Sequence, residues 1–170
     1  LPNDNALREQ ASSALEACGA FDEAAQLLWD YLEKHTEKEE KLSYVLMGLL
    51  LSQADFKGLT RLADLYQKNV PITAHWVLAN AAKAQNNWTE VERQCNKLLA
   101  LFPDLLRAKG LLAHSLMQQQ RFLEAAHVSF AIYEADPEQD LALWEATTAA
   151  SAACDWALVR KYAAIFDMEL

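Results

Sequence analysis

The chain has 170 residues and a formal charge of −9, from 24 acidic against 15 basic side chains. That sign is wrong for gripping nucleic-acid phosphates or an anionic membrane surface, and no apolar run approaches the ~20 residues of a membrane-spanning helix. A 52% hydrophobic content with only 4 Gly and 4 Pro suits one domain with a real core, built of helices rather than sheet.

Taken in chain order, the sequence repeats itself. Phe21, Phe56, Trp88, Phe122 and Trp156 recur at intervals of 35, 32, 34 and 34 residues. Two positions before each aromatic stands a small or polar residue suited to a turn: Gly19, Ala54, Asn86, Gln120 and Cys154. Three positions after it comes Ala24, Leu59, Val91, Ala125 or Val159, a side chain small enough for two helices to approach closely. Fifteen positions after the aromatic come Thr36, Pro71, Pro103 and Pro137; proline has no N–H to continue a helix, so three runs should end there.

Each unit therefore predicts a pair of helices: 4–17 with 21–34, 38–53 with 56–69, 72–85 with 88–101, 105–119 with 122–135, and 139–152 with 156–167. Apolar spacing agrees, as in Phe122, Ala125, Ala126, Ser129 and Phe130 at i, i+3, i+4, i+7 and i+8. The charge run Glu33–Lys41 reads as a solvated helix end, a loop and the next helix start, with Glu and Lys placed for i,i+4 pairing. No Gly/Ser/Pro-rich linker divides the chain. The expected domain is one continuous body over 1–170, in units of about 5–38, 39–71, 72–103, 104–137 and 138–170.

These repeats resemble the tetratricopeptide repeat family over nearly the whole chain. The likeness is strongest in Leu112-Ala113, Leu116, Phe122, Ala125 and Pro137, followed by Leu78-Ala79, Ala82, Trp88 and Pro103. The second unit departs from the family pattern at Met47 and Leu59, and the first and fifth lack the terminal proline. The resemblance implies an all-α, right-handed α-solenoid of about five antiparallel helix pairs, first helices lining a concave groove and second helices the convex side. It also implies which residues look into the groove: Glu9, Ser13 and Glu16; Tyr44, Gly48 and Leu51; Trp76, Asn80 and Lys83; Gly110, His114 and Met117; Trp144, Thr148 and Ser151. Of these, Tyr44 through Ser151 are the candidate partner-binding residues.

Tyr44, Trp76 and Trp144 open three of these sets, and Gly110 opens the one between the two tryptophans. Large amphipathic rings beside a glycine gap suit the apolar anchors of a bound segment. Trp88 and Trp156, at the helix-opening site, are expected in the core, as is packing for Trp29 and Phe130. One family mode clamps a peptide carboxylate with Lys, Asn and Arg. Asn80 matches one such site, but Trp76 replaces its basic partner and Arg107 is the lone further match. The groove is instead expected to take an extended or helical segment with apolar anchors and a basic end, facing Glu9 and Glu16.

Nothing announces chemistry. The sequence has no GxSxG, glycine-rich phosphate loop or HExxH. His35, His75, His114 and His127 have no ligand at metal spacing, and no cofactor is expected. Cys18, Cys95 and Cys154 fit neither a zinc site nor a redox pair; they are expected as packed free thiols, which favours a reducing, cytoplasmic compartment. The expected function is non-catalytic protein binding, as an adaptor, scaffold or chaperone. Small acidic chaperones of type III secretion substrates are similar in size and charge. The start at Leu1-Pro2 and the lack of a polar helix after the last repeat suggest a piece of a larger assembly factor. Apolar surface on that last pair would then be covered by missing chain, a partner or a second copy. The reading of a different class is a self-associating spacer with terminal or convex interfaces.

Overall fold

A computed structural model of the chain describes residues 5–17, 19–35 and 40–168. The described residues form ten α-helices and no strand: α1 Asn5–Ala17, α2 Phe21–Leu32, α3 Glu40–Ser52, α4 Phe56–Tyr66, α5 Pro71–Ala84, α6 Trp88–Leu101, α7 Leu106–Gln118, α8 Phe122–Ala135, α9 Asp140–Ala152 and α10 Trp156–Met168. Every expected helix is present. All five expected aromatics are the first residue of a second helix. The largest boundary difference is at α4, which ends at Tyr66 rather than 69. Val70, just before Pro71, lies outside helical geometry at φ −138° and ψ 71°. Pro71 is then the opening residue of α5, where its missing N–H costs nothing, while Pro103 and Pro137 lie in turns.

The turns follow one rule. The residue two before each aromatic has positive φ: Gly19 at 78°, Ala54 at 54°, Asn86 at 55°, Gln120 at 60° and Cys154 at 57°. A left-handed residue after a helix lets the next N–H reach back across the last turn. Thus Asp55 N–H donates to Leu50 O at 2.9 Å, Arg121 to Leu116 O at 2.9 Å and Asp155 to Ala150 O at 3.0 Å. The following helix is often capped by the residue just before the aromatic. Asp55 Oδ1 accepts from Gly58 N–H at 2.9 Å, Asn87 Oδ1 from Glu90 N–H at 3.3 Å and Asp155 Oδ1 from Leu158 N–H at 3.1 Å.

The helices group into two compact units, Leu1–Gln85 and Asn86–Leu170. In the first, α2 lies against α1 and α3, and α4 against α3 and α5. Leu28, Leu32, Leu46, Leu50, Leu59, Leu62, Tyr66 and Val77 form its core. In the second, α7 contacts α6 and α8, and α9 contacts α8 and α10. Its interior includes Cys95, Leu98, Ala108, Leu116, Ala125, Leu143 and Tyr162. The position three after the aromatic, expected to hold a small or medium side chain, is fully buried at Ala24, Leu59, Val91 and Ala125, and half-buried at Val159.

Charged side chains tie neighbouring helices together. Arg121 bridges Glu92 of α6 at 2.7 Å and Glu124 of its own helix at 2.6 Å. It thereby holds the Glu124 carboxyl below its ordinary range. The described ends of the Glu33–Lys41 run pair with other helices, while the i,i+4 pairs expected within it involve residues 36–39. Glu33 pairs with Arg61 of α4, and Lys41 with Glu9 of α1 at 2.6 Å. Both partners lie on other helices. Residues 36–39 of the run lie outside the described residues. The second-helix aromatics pack as expected. Trp29 is buried under the Arg61 guanidinium, 4.3 Å from its ring centre, and Phe130 stacks on Tyr162 at 4.4 Å.

Two packing expectations fail. Trp156 is 58% exposed rather than core. Its counterpart Trp88 is half-covered because His114 of α7 meets it edge-on at 5.2 Å; among the described residues no helix follows α10 to do the same. Cys154 is exposed because it is itself the left-handed turn residue. Cys95 is buried as expected, its thiol pushed up to about 12 mainly by that burial; Cys18 lies outside the described residues.

Ala54 holds a left-handed conformation that costs an L-residue with a Cβ roughly 1 kcal/mol relative to glycine. Ala54→Gly should therefore raise stability by about 1 kcal/mol. Gly58→Ala should lower it, since a Cβ there would collide with the Asp55 cap and the Leu50 side chain. Urea midpoints of both variants against the parent protein check the two signs.

Candidate functional site

On the first-helix face, most candidate residues are polar, glycine or exposed aromatic, set against a core of Ala and Leu on the opposite side of the same helices. In the first unit, Gly48, mid-helix in α3, is exposed, and Tyr44 and Leu51 beside it are half-buried. On α5, Trp76 and Asn80 are half-buried and Lys83 is exposed. The Asn80 side-chain amide donates to the Trp76 carbonyl at 2.8 Å, so one of its donors is held within its own helix. The acid expected at this end is partly used as well. Glu9 is engaged by Lys41, and Glu16 accepts from Ser12 at 3.4 Å, with Ser13 exposed beside them.

The second unit brings its candidates together. A cleft of about 220 Å³ between α7 and α9 is lined by Gly110, His114 and Met117 from one helix and Trp144 and Thr148 from the other. Ala113 and Ser129 of α8 also line it. Five of the six residues expected here from α7 and α9 thus share one cavity; Ser151, the sixth, is exposed but does not line it. Trp144 is 59% exposed, an unusual state for an indole in a folded chain. The Thr148 hydroxyl donates to the Trp144 carbonyl at 2.9 Å, which leaves its oxygen free to accept.

A second cleft, of about 390 Å³, adjoins the first. Gly110 and Glu145 line both, and Leu106, Arg107, Ile132 and Leu141 extend the second. Glu145 and Leu141 are missing from the sequence reading. Leu141 is 66% exposed and lies three residues before Trp144, a helical neighbour on the same face. Glu145 follows Trp144 directly and borders the face because one helical step turns the side chain by only 100°. Neither residue stands at the repeated register that singled out the aromatics.

Gly48 and Gly110 interrupt helices at a cost of about 1 kcal/mol each relative to alanine. Packing does not demand them: a Cβ built on either meets nothing within 4 Å. Among the described residues, no three His, Cys, Asp or Glu side chains converge to hold a metal ion. No helix of these residues is long and apolar enough to cross a membrane.

No family model and no curated protein sequence matches the chain. Solved structures do. MamA residues 41 to the end from Desulfovibrio magneticus RS-1 matches with a TM-score of 0.68 at 15% identity, over 96% of this chain and 93% of that one. The MamA RS-1 ArsTM double mutant matches at 0.63 and 15% identity, over 95% and 96% of the two chains. MamA MSR-1 C2 matches at 0.59 and 14% identity, over 96% and 97%. At such identities the likeness speaks for the fold alone, and that fold is the tetratricopeptide-like helical repeat.

Gly110→Ala should stabilise the protein by about 0.5–1 kcal/mol, because the helix gains propensity and the new methyl enters open space. Thermal unfolding of the variant checks this; a loss of stability would mean that the cleft wall is packed more tightly than the geometry indicates.

Proposed function

We propose that the protein is a non-catalytic protein-interaction module, an adaptor, scaffold or chaperone acting as one domain over 1–170. Its first-helix faces receive a peptide or helical segment of a partner polypeptide. The observation that carries this reading is the α7–α9 cleft, where an exposed tryptophan, a histidine, a methionine and a helix-interior glycine meet around an open cavity. Tryptophan is enriched among the few residues that carry most of the binding free energy in protein interfaces. Methionine adds a surface that adapts to different shapes. Tyr44, Gly48, Leu51, Trp76, Asn80 and Lys83 form the corresponding contact set of the first unit. The repeat fold favours the same reading, because helical repeats commonly present extended binding surfaces.

The second reading is self-association through the terminal helix pair. The exposure of Trp156 on α10 favours it. It predicts concentration-dependent dimers that groove substitutions leave intact.

The two readings separate in a pull-down from the native cell extract. The parent chain is compared with a Tyr44→Ala, Trp76→Ala, Trp144→Ala triple variant, both checked for helicity by circular dichroism. The module reading expects a protein captured by the parent and lost by the variant. Equal capture by both contradicts it and moves attention to α10.

A further inference from the structure

Among the described acids of the second unit, Glu145 is the one that lines both clefts. Glu90, Glu92 and Glu124 are each engaged by an arginine: Glu90 by Arg93 at 2.6 Å, Glu92 and Glu124 by Arg121. Glu145 forms no ion pair among the described residues, yet it lines both clefts and follows the exposed Trp144. An unpaired surface carboxylate is ordinary. One at the junction of two apolar-walled clefts, next to a bare indole, forms a composite site.

We infer that this junction takes a lysine or arginine side chain of a partner polypeptide, its cationic head between the Trp144 ring and the Glu145 carboxylate. This rests on the reading that the α7–α9 face binds protein. The first cleft, at about 220 Å³, falls below the ~300–1,000 Å³ of sites for drug-sized ligands. It suits one long side chain, whose aliphatic stem would lie along Gly110 and Met117. Tryptophan is the best aromatic partner for a cation. The protein already makes this contact elsewhere, with Arg61 4.3 Å over Trp29 and Lys161 Nζ 4.9 Å over Phe130. Trp144 is the exposed indole of the cleft and carries no such cation from the described residues.

Charge acts in the same direction. The stretch from Asn86 to Leu170 holds 12 acidic and 7 basic side chains, so its field attracts basic segments. Arg107 opposes a cation locally. It lines the second cleft, about one turn before Gly110, and makes no ion pair with Glu145. The cation is therefore placed over Trp144, in the first cleft. The second cleft, walled by Leu106, Ile132 and Leu141, is left for an apolar side chain of the same segment. The recognised chemistry is one cationic and one apolar residue on one face of a short peptide.

The test is selection of random 12-residue displayed peptides on the full chain. Selected peptides are then synthesised with a fluorescein label, and each is remade with citrulline or norleucine replacing its arginine or lysine. Binding is measured by fluorescence anisotropy to the parent protein, Trp144→Ala, Glu145→Gln and Glu145→Lys. The expected result is peptides that carry Arg or Lys beside an apolar residue. Neutral replacement or Glu145→Gln should weaken them roughly 5–10-fold, as fits a partly exposed cation–aromatic contact. Glu145→Lys should weaken them further and favour versions with glutamate at that position. Suppose instead that Trp144→Ala abolishes binding but charged and neutral peptides bind alike: the cation inference falls while the binding face stands. If binding survives Trp144→Ala, or no peptide is selected, the face itself is wrong and the inference falls with it.

Discussion

One contact recurs through the structure: the side chain three residues after each helix-opening aromatic. Ala24, Leu59, Val91 and Ala125 are each fully buried there. A side chain of that size lets a second helix lie close against its neighbours, and interiors are packed densely enough that larger ones would force the helices apart. The contact works only if the chain reverses within a few residues, which is why each turn within a helix pair carries a residue in the left-handed region and a helix begins at once on the aromatic. Ala54, Gln120 and Cys154 accept the strain of that conformation without being glycine. Turn, aromatic and small residue are one device, repeated every ~34 residues.

With hydrophobic side chains committed to the helix contacts, charge is left to regulate the surface. Several basic side chains are spent between or along second helices and helix ends, as in Arg61 with Glu33 and Trp29, and Arg121 with Glu92 and Glu124. Exposed pairs of this kind contribute little stability individually. Their effect is to neutralise acids on that part of the surface. The α7–α9 face is treated differently: it keeps an exposed indole, an unpaired carboxylate and a helix-interior glycine. The exposed indole and the helix-interior glycine depart from what folding alone favours, and residues that break local rules without a packing reason are where function is sought.

The fold was largely legible because its signal is periodic. Five aromatics in register, with turn residues before them and prolines after them, placed ten helices to within three residues. What the period could not convey is what stands beside the last unit. Trp156 occupies the same register as Trp88 and Phe21, but exposure there differs from unit to unit, and sequence register carries no information on that. Cys154 shows the same conflict, since its turn position outweighs the usual burial of cysteine. At the candidate site, Gly110, His114, Met117, Trp144 and Thr148 were expected on one face because the resemblance to the repeat family implies which register of the first helices looks inward. Glu145 and Leu141 were not, because they border the repeated register rather than occupy it. Glu33–Arg61 and Lys41–Glu9 were not legible either, because the packing of separate helices creates them.

The central claim is that a partner polypeptide seats on the α7–α9 face. Site-specific photo-crosslinking tests it most directly. A photoactivatable phenylalanine analogue replaces Thr148, exposed at the cleft, or His127, exposed on α8 and outside it. Each variant is irradiated in native cell extract and adducts are mapped by mass spectrometry. The account predicts a discrete covalent adduct to another polypeptide from position 148 and none from position 127. An adduct from 127 with none from 148 would contradict it and place the interaction on the second helices.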